Sequence, residues 1–327
     1  MALAIAYQVQ CRLSEVAPVR NKGFDHVTQG AYAVAAGASK ALGLDADKTA
    51  NAIAISGTAL NALRVTRTGK LSNWKGLAYP FMASCAVTAV FLAKEGITGP
   101  LEVFEGNKGF MDTISGPFKV DWSEEKLDLV ERTILKKYNA EIHSQSAIEC
   151  ILKLRAKGLR SEEVDSIEVR IFDVAFHIIG GGEEGDKKSV KTKEEADHSL
   201  PYILAVALID GRVGPDQYSP ERILASDAQA LLRKISVRPD LEFSAQFPGA
   251  VPCEITARTK DGRTFREKTT DYEGFFTRPM SWNTASKKFT SLATPRIEAD
   301  LQREIIQAVS DLDKIKVREL TALLGRV

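Results

Sequence analysis

The strongest candidate for acid–base chemistry is His198, which directly follows Asp197. Thr192 and Glu195 form the Thr-x-x-Glu pattern of a helix N-terminus, so a short helix should begin there. Pro201 lacks the amide hydrogen that a continuing helix needs, which predicts a break or kink beside His198. Because a carboxylate can fix the tautomer of an adjacent imidazole, this turn could present a general acid or base. The alternative is a histidine that is hydrogen-bonded at the protein surface.

Lys75 lies in a polar, cationic loop, residues 66–76, ahead of a predicted helix. Backbone amides and the positive end of a helix dipole suit a carboxylate ligand at such a place. They also disfavour a nearby ammonium group, which would make Lys75 easier to deprotonate. Lys75 is therefore a candidate for anion binding or proton transfer, and the alternative is a solvated basic loop.

The remaining histidines carry weaker local signals. His143 precedes a predicted helix at 144–155, and His26 follows Asp25, which could cap a helix. His177 is expected at the end of a strand, and we assign it no role. The glycine-rich run 180–186 lacks the spacing of a phosphate-binding loop and is predicted to be a flexible acidic loop.

Helical periodicity dominates both ends of the chain. Met1 to Leu13 should form a packed apolar helix, and Pro80 should lie in the first turn of a later one. The other predicted helices share apolar periodicity and occupy 30–43, 45–55, 80–94, 201–211, 296–312 and 315–324.

Strand patterns appear only in the middle of the chain. Apolar and polar residues alternate at 164–172, and similar strands are predicted at about 232–237 and at 253–259. Asp261-Gly262 then predicts a hairpin that leads into a strand at 263–269. We therefore predict an α+β fold of two domains: a helical domain at 1–158, an inserted α+β domain at 159–284, and a helical return at 285–327.

Composition argues against several classes of partner. The 327 residues include 44 basic and 43 acidic side chains in no long block of one sign, so we expect neither nucleic acid nor a membrane as partner. Four widely spaced cysteines form no Cys-x-x-Cys pair, which argues against a metal site, an iron–sulfur cluster or a disulfide framework. We expect a cytoplasmic protein with reduced cysteines and no metal.

Three strings carry a resemblance to a known family: Glu-Ala-Asp-His-Ser-Leu-Pro-Tyr at 195–202, Ser-Asn-Trp-Lys-Gly at 72–76 and Glu-Ile-His-Ser-Gln-Ser at 141–146. They resemble the MmgE/PrpD family, most closely its 2-methylcitrate dehydratase branch. The resemblance implies a helical domain with an α+β lid, an active site in the cleft between them, a homodimer through the helical domain, and no cofactor. Residues 1–13 resemble the interior of a family helix. We therefore expect the first part of the usual family chain to be missing, and a separate N-terminal chain could supply it.

The resemblance also implies roles for particular residues. A metal-free dehydration must neutralise carboxylates, remove a carbon-bound proton and protonate the departing hydroxyl. His198 would be the acid or base, Lys75 and Lys193 would bind carboxylates or transfer protons, and His143 would act in the site or at the hinge into the lid. The implied substrate-binding residues are Arg67, Ser72, Asp25 and His26.

The function implied is a hydro-lyase that forms 2-methyl-aconitate from 2-methylcitrate in propionate catabolism. A first alternative is cis-aconitate decarboxylation or dehydration of another hydroxy acid, because family resemblance does not fix the substrate. The 72–76 string departs from the decarboxylase branch, which weighs against the first of these. A second alternative is a shortened, non-catalytic subunit or relic that only binds a partner or a carboxylate.

Overall fold

The computed structural model describes residues 1–69 and 71–327. These residues divide into two compact units, Met1–Thr133 and Ile134–Val327. The first unit is helical, and the second combines helices with a four-stranded sheet. The α+β two-domain fold class is therefore confirmed, whereas the three-part boundaries at 158/159 and 284/285 remain a prediction.

Among the described residues of the first unit, the α-helices are α1 (Ala2–Val16), α2 (Val27–Ala41), α3 (Ala46–Ala59) and α4 (Trp74–Lys94). The second helix packs against the other three and is buried along most of its length. Small residues permit this close packing. A side chain at Gly37 would meet the backbone of Ala2, and one at Gly57 would meet the ring of Tyr32.

The start of α4 differs from the sequence prediction. The helix begins at Trp74, so Pro80 lies inside it and not in its first turn. Proline there removes the amide that would bond the Gly76 carbonyl, yet the helix continues through it. Lys75 consequently belongs to the first turn of the helix.

The length and apolar composition of α4 would suffice to cross a membrane, a test that core helices of globular proteins also pass. About a third of its apolar window is buried within the chain. Large apolar side chains along α4 remain exposed, including those of Trp74, Leu77, Phe81 and Phe91.

The sheet of the second unit has the strand order β2-β1-β3-β4. Its strands are β1 (Val164–Ile171), β2 (Ile235–Pro239), β3 (Cys253–Thr259) and β4 (Thr264–Thr269). The first two strands pair in parallel, and the β1–β3 and β3–β4 pairs are antiparallel. The Asp261-Gly262 hairpin is confirmed, and its glycine adopts a φ of 86°. The second strand begins a little later than predicted, because residues 232–233 complete a helix.

Helices precede, separate and follow the strands of the second unit. They are α5 (Gln145–Ala156), α6 (Asp173–Ala175), α7 (Lys193–Ala196), α8 (Leu200–Asp210), α9 (Pro220–Ile223), α10 (Ser226–Arg233), α11 (Leu241–Ser244), α12 (Trp282–Ala293), α13 (Ala299–Ser310) and α14 (Val317–Leu324). The predicted apolar helix at 201–211 is α8, and its residues 200–208 are all buried. It packs against α5 and α10 beside the sheet and forms the centre of this core.

Ion pairs fasten α5 to the chain segment that precedes α12. Glu149 on α5 accepts a hydrogen bond from the Arg278 guanidinium at 2.6 Å. Glu273 binds the Lys137 ammonium at 2.7 Å and accepts a bond from the Thr284 hydroxyl at 2.5 Å. The Lys137 and Thr284 bonds lower the pKa of Glu273 from its usual 4.5 to about 2.

Candidate active site

The segment that carries His198 folds as its sequence predicts. Thr192 and Glu195 form a capping box at the start of α7, with the Thr192 amide donating to the Glu195 carboxylate at 3.0 Å. The helix ends after one turn, and Ser199 caps α8 by accepting from the Tyr202 amide at 3.1 Å. Pro201 lies in the first turn of α8, where its missing amide costs no hydrogen bond. His198 therefore lies in the joint between two helices.

Asp197 links two of the predicted site residues in this joint. One of its carboxylate oxygens contacts Nδ1 of His198, and the other binds Nζ of Lys193 at 2.6 Å. The imidazole is 13% exposed, whereas the lysine side chain is 55% exposed. Lys193, Asp197 and His198 thus form one connected group. The lysine in it is about half exposed, and the imidazole is nearly buried. Such a group can hold an imidazole in one orientation and one tautomer while a cation stays near it.

His143 approaches the same chain segment through Glu141. The amide of Glu141 donates to the Asp197 carbonyl at 3.1 Å. Its carboxylate accepts the His143 amide at 2.7 Å and lies 3.8 Å from Nε2 of that histidine. The structure therefore brings His143, Lys193 and His198 together around Glu141 and Asp197.

Aromatic rings and a glutamine fix the position of His143. The imidazole meets the edges of Phe172 and Phe247 with ring centroids 5.5 and 5.7 Å apart. Gln145 accepts the Tyr138 amide at 2.9 Å and donates to the carbonyls of Tyr138 and Glu141. His143 is 17% exposed, so one part of its ring remains open to solvent.

Three predicted site residues of the first unit meet at the start of α2. The Asp25 side chain is fully buried, and its carboxylate binds Nε of Arg67 at 2.5 Å. It also accepts the Val27 amide at 3.0 Å and lies 3.1 Å from Nδ1 of His26. A backbone hydrogen bond also joins Asp25 to the segment that precedes Arg67, because the Asp25 amide donates to the Ala62 carbonyl at 2.8 Å. Asp25 thus acts at a helix start, as its alternative interpretation held, and also holds Arg67 in place.

His26 is open to solvent on one side, with 55% of its side chain exposed. Partial desolvation lowers its pKa, and the nearby guanidinium of Arg67 adds to this decrease while Asp25 opposes it. The imidazole ring also stacks on the ring of Tyr79 of α4, with the two ring centroids 6.5 Å apart. A neutral imidazole beside a fixed guanidinium is an arrangement that can face an anionic ligand.

Ser72 and Lys75 lie together at the start of α4, where the Lys75 amide donates to the Ser72 carbonyl at 3.0 Å. Ser72 also lines an open groove of about 490 Å³, which is apolar apart from Ser72, Thr66 and Asn61. Lys75 is half-buried in the first helical turn. The predicted loop position of Lys75 is therefore wrong, although it does lie at a helix N-terminus.

Sequence reasoning singled out the histidines and Asp197, but not Glu141, the carboxylate that organises His143. Adjacency to His198 was a signal for Asp197, whereas nothing local indicated that Glu141 contacts the Asp197 backbone. His177 does not end a strand as predicted: it is exposed in the π-helical segment Phe176–Gly180 after α6, where its Nδ1 accepts the Glu183 amide at 3.4 Å. Among residues 1–69 and 71–327, no group of three or more His, Cys, Asp or Glu side chains is arranged to hold a metal ion.

Comparison with known proteins identifies a decarboxylase and dehydratases as relatives of this chain. Cis-aconitate decarboxylase of Mus musculus is 23% identical over 97% of this chain and 65% of its own length. The mitochondrial 2-methylcitrate dehydratase of Yarrowia lipolytica is 28% identical over 82% of this chain and 53% of its own. The 2-methylcitrate dehydratase of Salmonella typhimurium is 27% identical over 82% of this chain and 57% of its own. The chain thus spans about half to two thirds of the length of these relatives.

Family models extend over most of the chain. The MmgE/PrpD N-terminal domain matches residues 1–123, and the MmgE/PrpD C-terminal domain matches residues 138–314. The relatives named above are dehydratases and a decarboxylase, all of which are lyases. The helical first unit, the α+β second unit and these matches lead to one conclusion: the chain belongs to the MmgE/PrpD family.

Proposed function

We propose that this protein is a hydro-lyase that removes water from 2-methylcitrate to give 2-methyl-aconitate, within propionate catabolism. The observation that carries the proposal is the Asp197 carboxylate, which contacts His198 and binds Lys193 at 2.6 Å. An oriented imidazole beside a cation can exchange a proton with a carboxylate-bearing substrate. The names of the dehydratase relatives supply the substrate.

The proposed reaction is an acid–base elimination. A base removes the proton from the carbon next to the carbinol carbon, and that electron pair forms the new carbon–carbon double bond. The carbon–oxygen bond breaks, and the departing hydroxide takes up a proton to leave as water. His198 is the proposed proton-transfer group, with Nδ1 directed to Asp197 and Nε2 directed to the substrate. His143, fixed by Glu141 and two phenylalanines, is the proposed second one.

Substrate carboxylates need cations that are held in place. Lys193 is positioned by Asp197, and Arg67 is positioned by the buried Asp25. We propose that Lys193 binds a substrate carboxylate beside His198. For the first unit, we propose Arg67, Lys75, Ser72 and His26 as substrate-binding residues, with the fully buried Asp25 acting by holding Arg67. Lys75 lies in the first turn of α4, and we propose it also as a candidate for proton transfer.

A second candidate reaction is decarboxylation of cis-aconitate. The decarboxylase from Mus musculus aligns with 97% of this chain, a larger share than the 82% of the dehydratase alignments. Incubation of the purified 327-residue chain with 2-methylcitrate, citrate and cis-aconitate in parallel separates the two reactions. We expect ultraviolet absorption from a new double bond with 2-methylcitrate. Release of CO2 from cis-aconitate without that absorbance would favour the decarboxylase, and folded protein inactive on all three would favour a non-catalytic role.

We further propose that the protein is a cytoplasmic homodimer. The exposed apolar side chains of α4 form a stripe in which the rings of Trp74 and Phe81 lie 5.4 Å apart. A stripe of this kind usually marks an interface, and a second copy of the chain would cover it. The four cysteines are free, and free cysteines are compatible with the reducing cytoplasm that we propose.

A further inference from the structure

Lys187 is fixed beside the turn that carries His198, although it lies in a different loop. Its carbonyl accepts a hydrogen bond from the Ser199 hydroxyl. Ser199 follows His198 directly and caps α8. The backbone of Lys187 is therefore attached to the joint between α7 and α8, on which Asp197 and His198 also lie.

The Lys187 side chain is half-buried. Among the residues that the structure describes, none forms an ion pair with its ammonium group. Burial lowers the pKa of Lys187, and the more distant carboxylates of Glu184, Glu141 and Asp186 only partly offset this effect. Lys193 differs, because its ammonium is already bound by Asp197.

A partly desolvated ammonium without a partner is unfavourable, and an anion that binds it recovers this free energy. Ser199, whose hydroxyl binds the Lys187 carbonyl, follows His198 directly in the chain, so Lys187 lies near this candidate proton-transfer residue. We infer that Lys187 is a substrate-binding residue that holds a carboxylate group of the tricarboxylate next to His198. This inference rests on the proposed function, because it assigns a further contact to the same site.

Citrate binding to the full 327-residue chain tests the inference without requiring turnover. Isothermal titration calorimetry would compare the wild-type chain with Lys187→Met and with Lys191→Met, an exposed lysine four residues away. We expect Lys187→Met to raise the Kd for citrate about tenfold or more, as the loss of one charged contact should. Lys191→Met should change it less than about threefold. Lys187→Arg, which keeps the charge, should recover part of the affinity.

Each result has a defined meaning. An unchanged Kd in Lys187→Met, at an unfolding temperature equal to that of the wild type, would overturn the inference, and so would a wild-type chain that binds no citrate. If Lys187→Met is unstable, Lys187→Arg and Lys187→Gln replace it with smaller changes of volume. Lys187-dependent citrate binding by a chain that converts none of the three acids would contradict the proposed function and support this subsite.

Discussion

The carboxylate of Asp197 contacts Nδ1 of His198, its neighbour in the chain. Both residues lie in the joint between the two helices, because α7 ends at Ala196 and α8 begins at Leu200. A carboxylate at Nδ1 places the proton on that nitrogen and leaves Nε2 to exchange protons with a ligand. The Lys193 ammonium on the second oxygen fixes the carboxylate in turn.

Asp197→Asn should preserve the shape of the joint and lower kcat about 100-fold, because an amide no longer favours one tautomer or stabilises the imidazolium. The fold increase in KM should be smaller than the fold decrease in kcat. Part of the increase in KM should come from Lys193, which the variant no longer holds by an ion pair. Steady-state kinetics with 2-methylcitrate measure both. Asp216→Asn, at an exposed aspartate, is the matched control. Wild-type kcat in Asp197→Asn would show that Asp197 does not position His198.

Removal of Arg67 should destabilise the first unit. Asp25 is fully buried, so Arg67→Met would leave its carboxylate with a neutral backbone donor and His26 as its remaining neighbours. We expect a loss of about 3 kcal/mol in the free energy of unfolding. Chemical denaturation measures this loss, and the double variant Asp25→Asn with Arg67→Met should recover part of it. A single variant as stable as the wild type would contradict a structural role for the pair.

Acid should weaken the second unit through Glu273. Its folded-state pKa of about 2 lies below the usual 4.5, so its stabilisation is complete above pH 4.5 and is lost as the pH falls toward 2. Glu273→Gln should therefore have a lower unfolding temperature than the wild type at pH 7. Between pH 4.5 and 2.5, its unfolding temperature should fall less than that of the wild type. Differential scanning fluorimetry across this range, with Glu221→Gln at an exposed site as control, measures the effect. Parallel curves for wild type and Glu273→Gln would refute it.

Charge on the apolar stripe of α4 should dissociate the proposed dimer. We expect light scattering to give twice the 35.8 kDa chain mass for the wild type, and one chain mass for Leu77→Glu with Phe81→Glu. Leu241→Glu is the matched control, because Leu241 is 90% exposed and belongs to the second unit. A monomeric wild type would contradict the proposal.

Local chemistry predicted much of the fold. The Thr192–Glu195 capping box, the break at Pro201 and the Asp261-Gly262 hairpin depend on neighbouring residues, and the structure confirms all three. Proline preference for a first turn misplaced the start of α4, because packing of Ala78 and Met82 in the core outweighs one lost hydrogen bond. Short helices such as α9 and α11 have too few residues to show periodicity.

The sequence predicted which side chains belong to the candidate site better than it predicted the contacts between them. Histidine and lysine types, with the family strings, indicated His198, His143 and Lys193. Asp197 joins Lys193 to His198 by contacts within the same short segment. His143 is joined to this group through Glu141, which is distant in sequence from Asp197. Such contacts depend on tertiary packing, which no local pattern reports.

Turnover of 2-methylcitrate by the purified chain, with His198→Ala and His177→Ala beside it, tests whether His198 carries out proton transfer. We expect double-bond absorbance with wild type and His177→Ala, and a loss of about 100-fold or more in kcat for His198→Ala. Undiminished turnover in His198→Ala, or equal losses in the two variants, would contradict the role of His198.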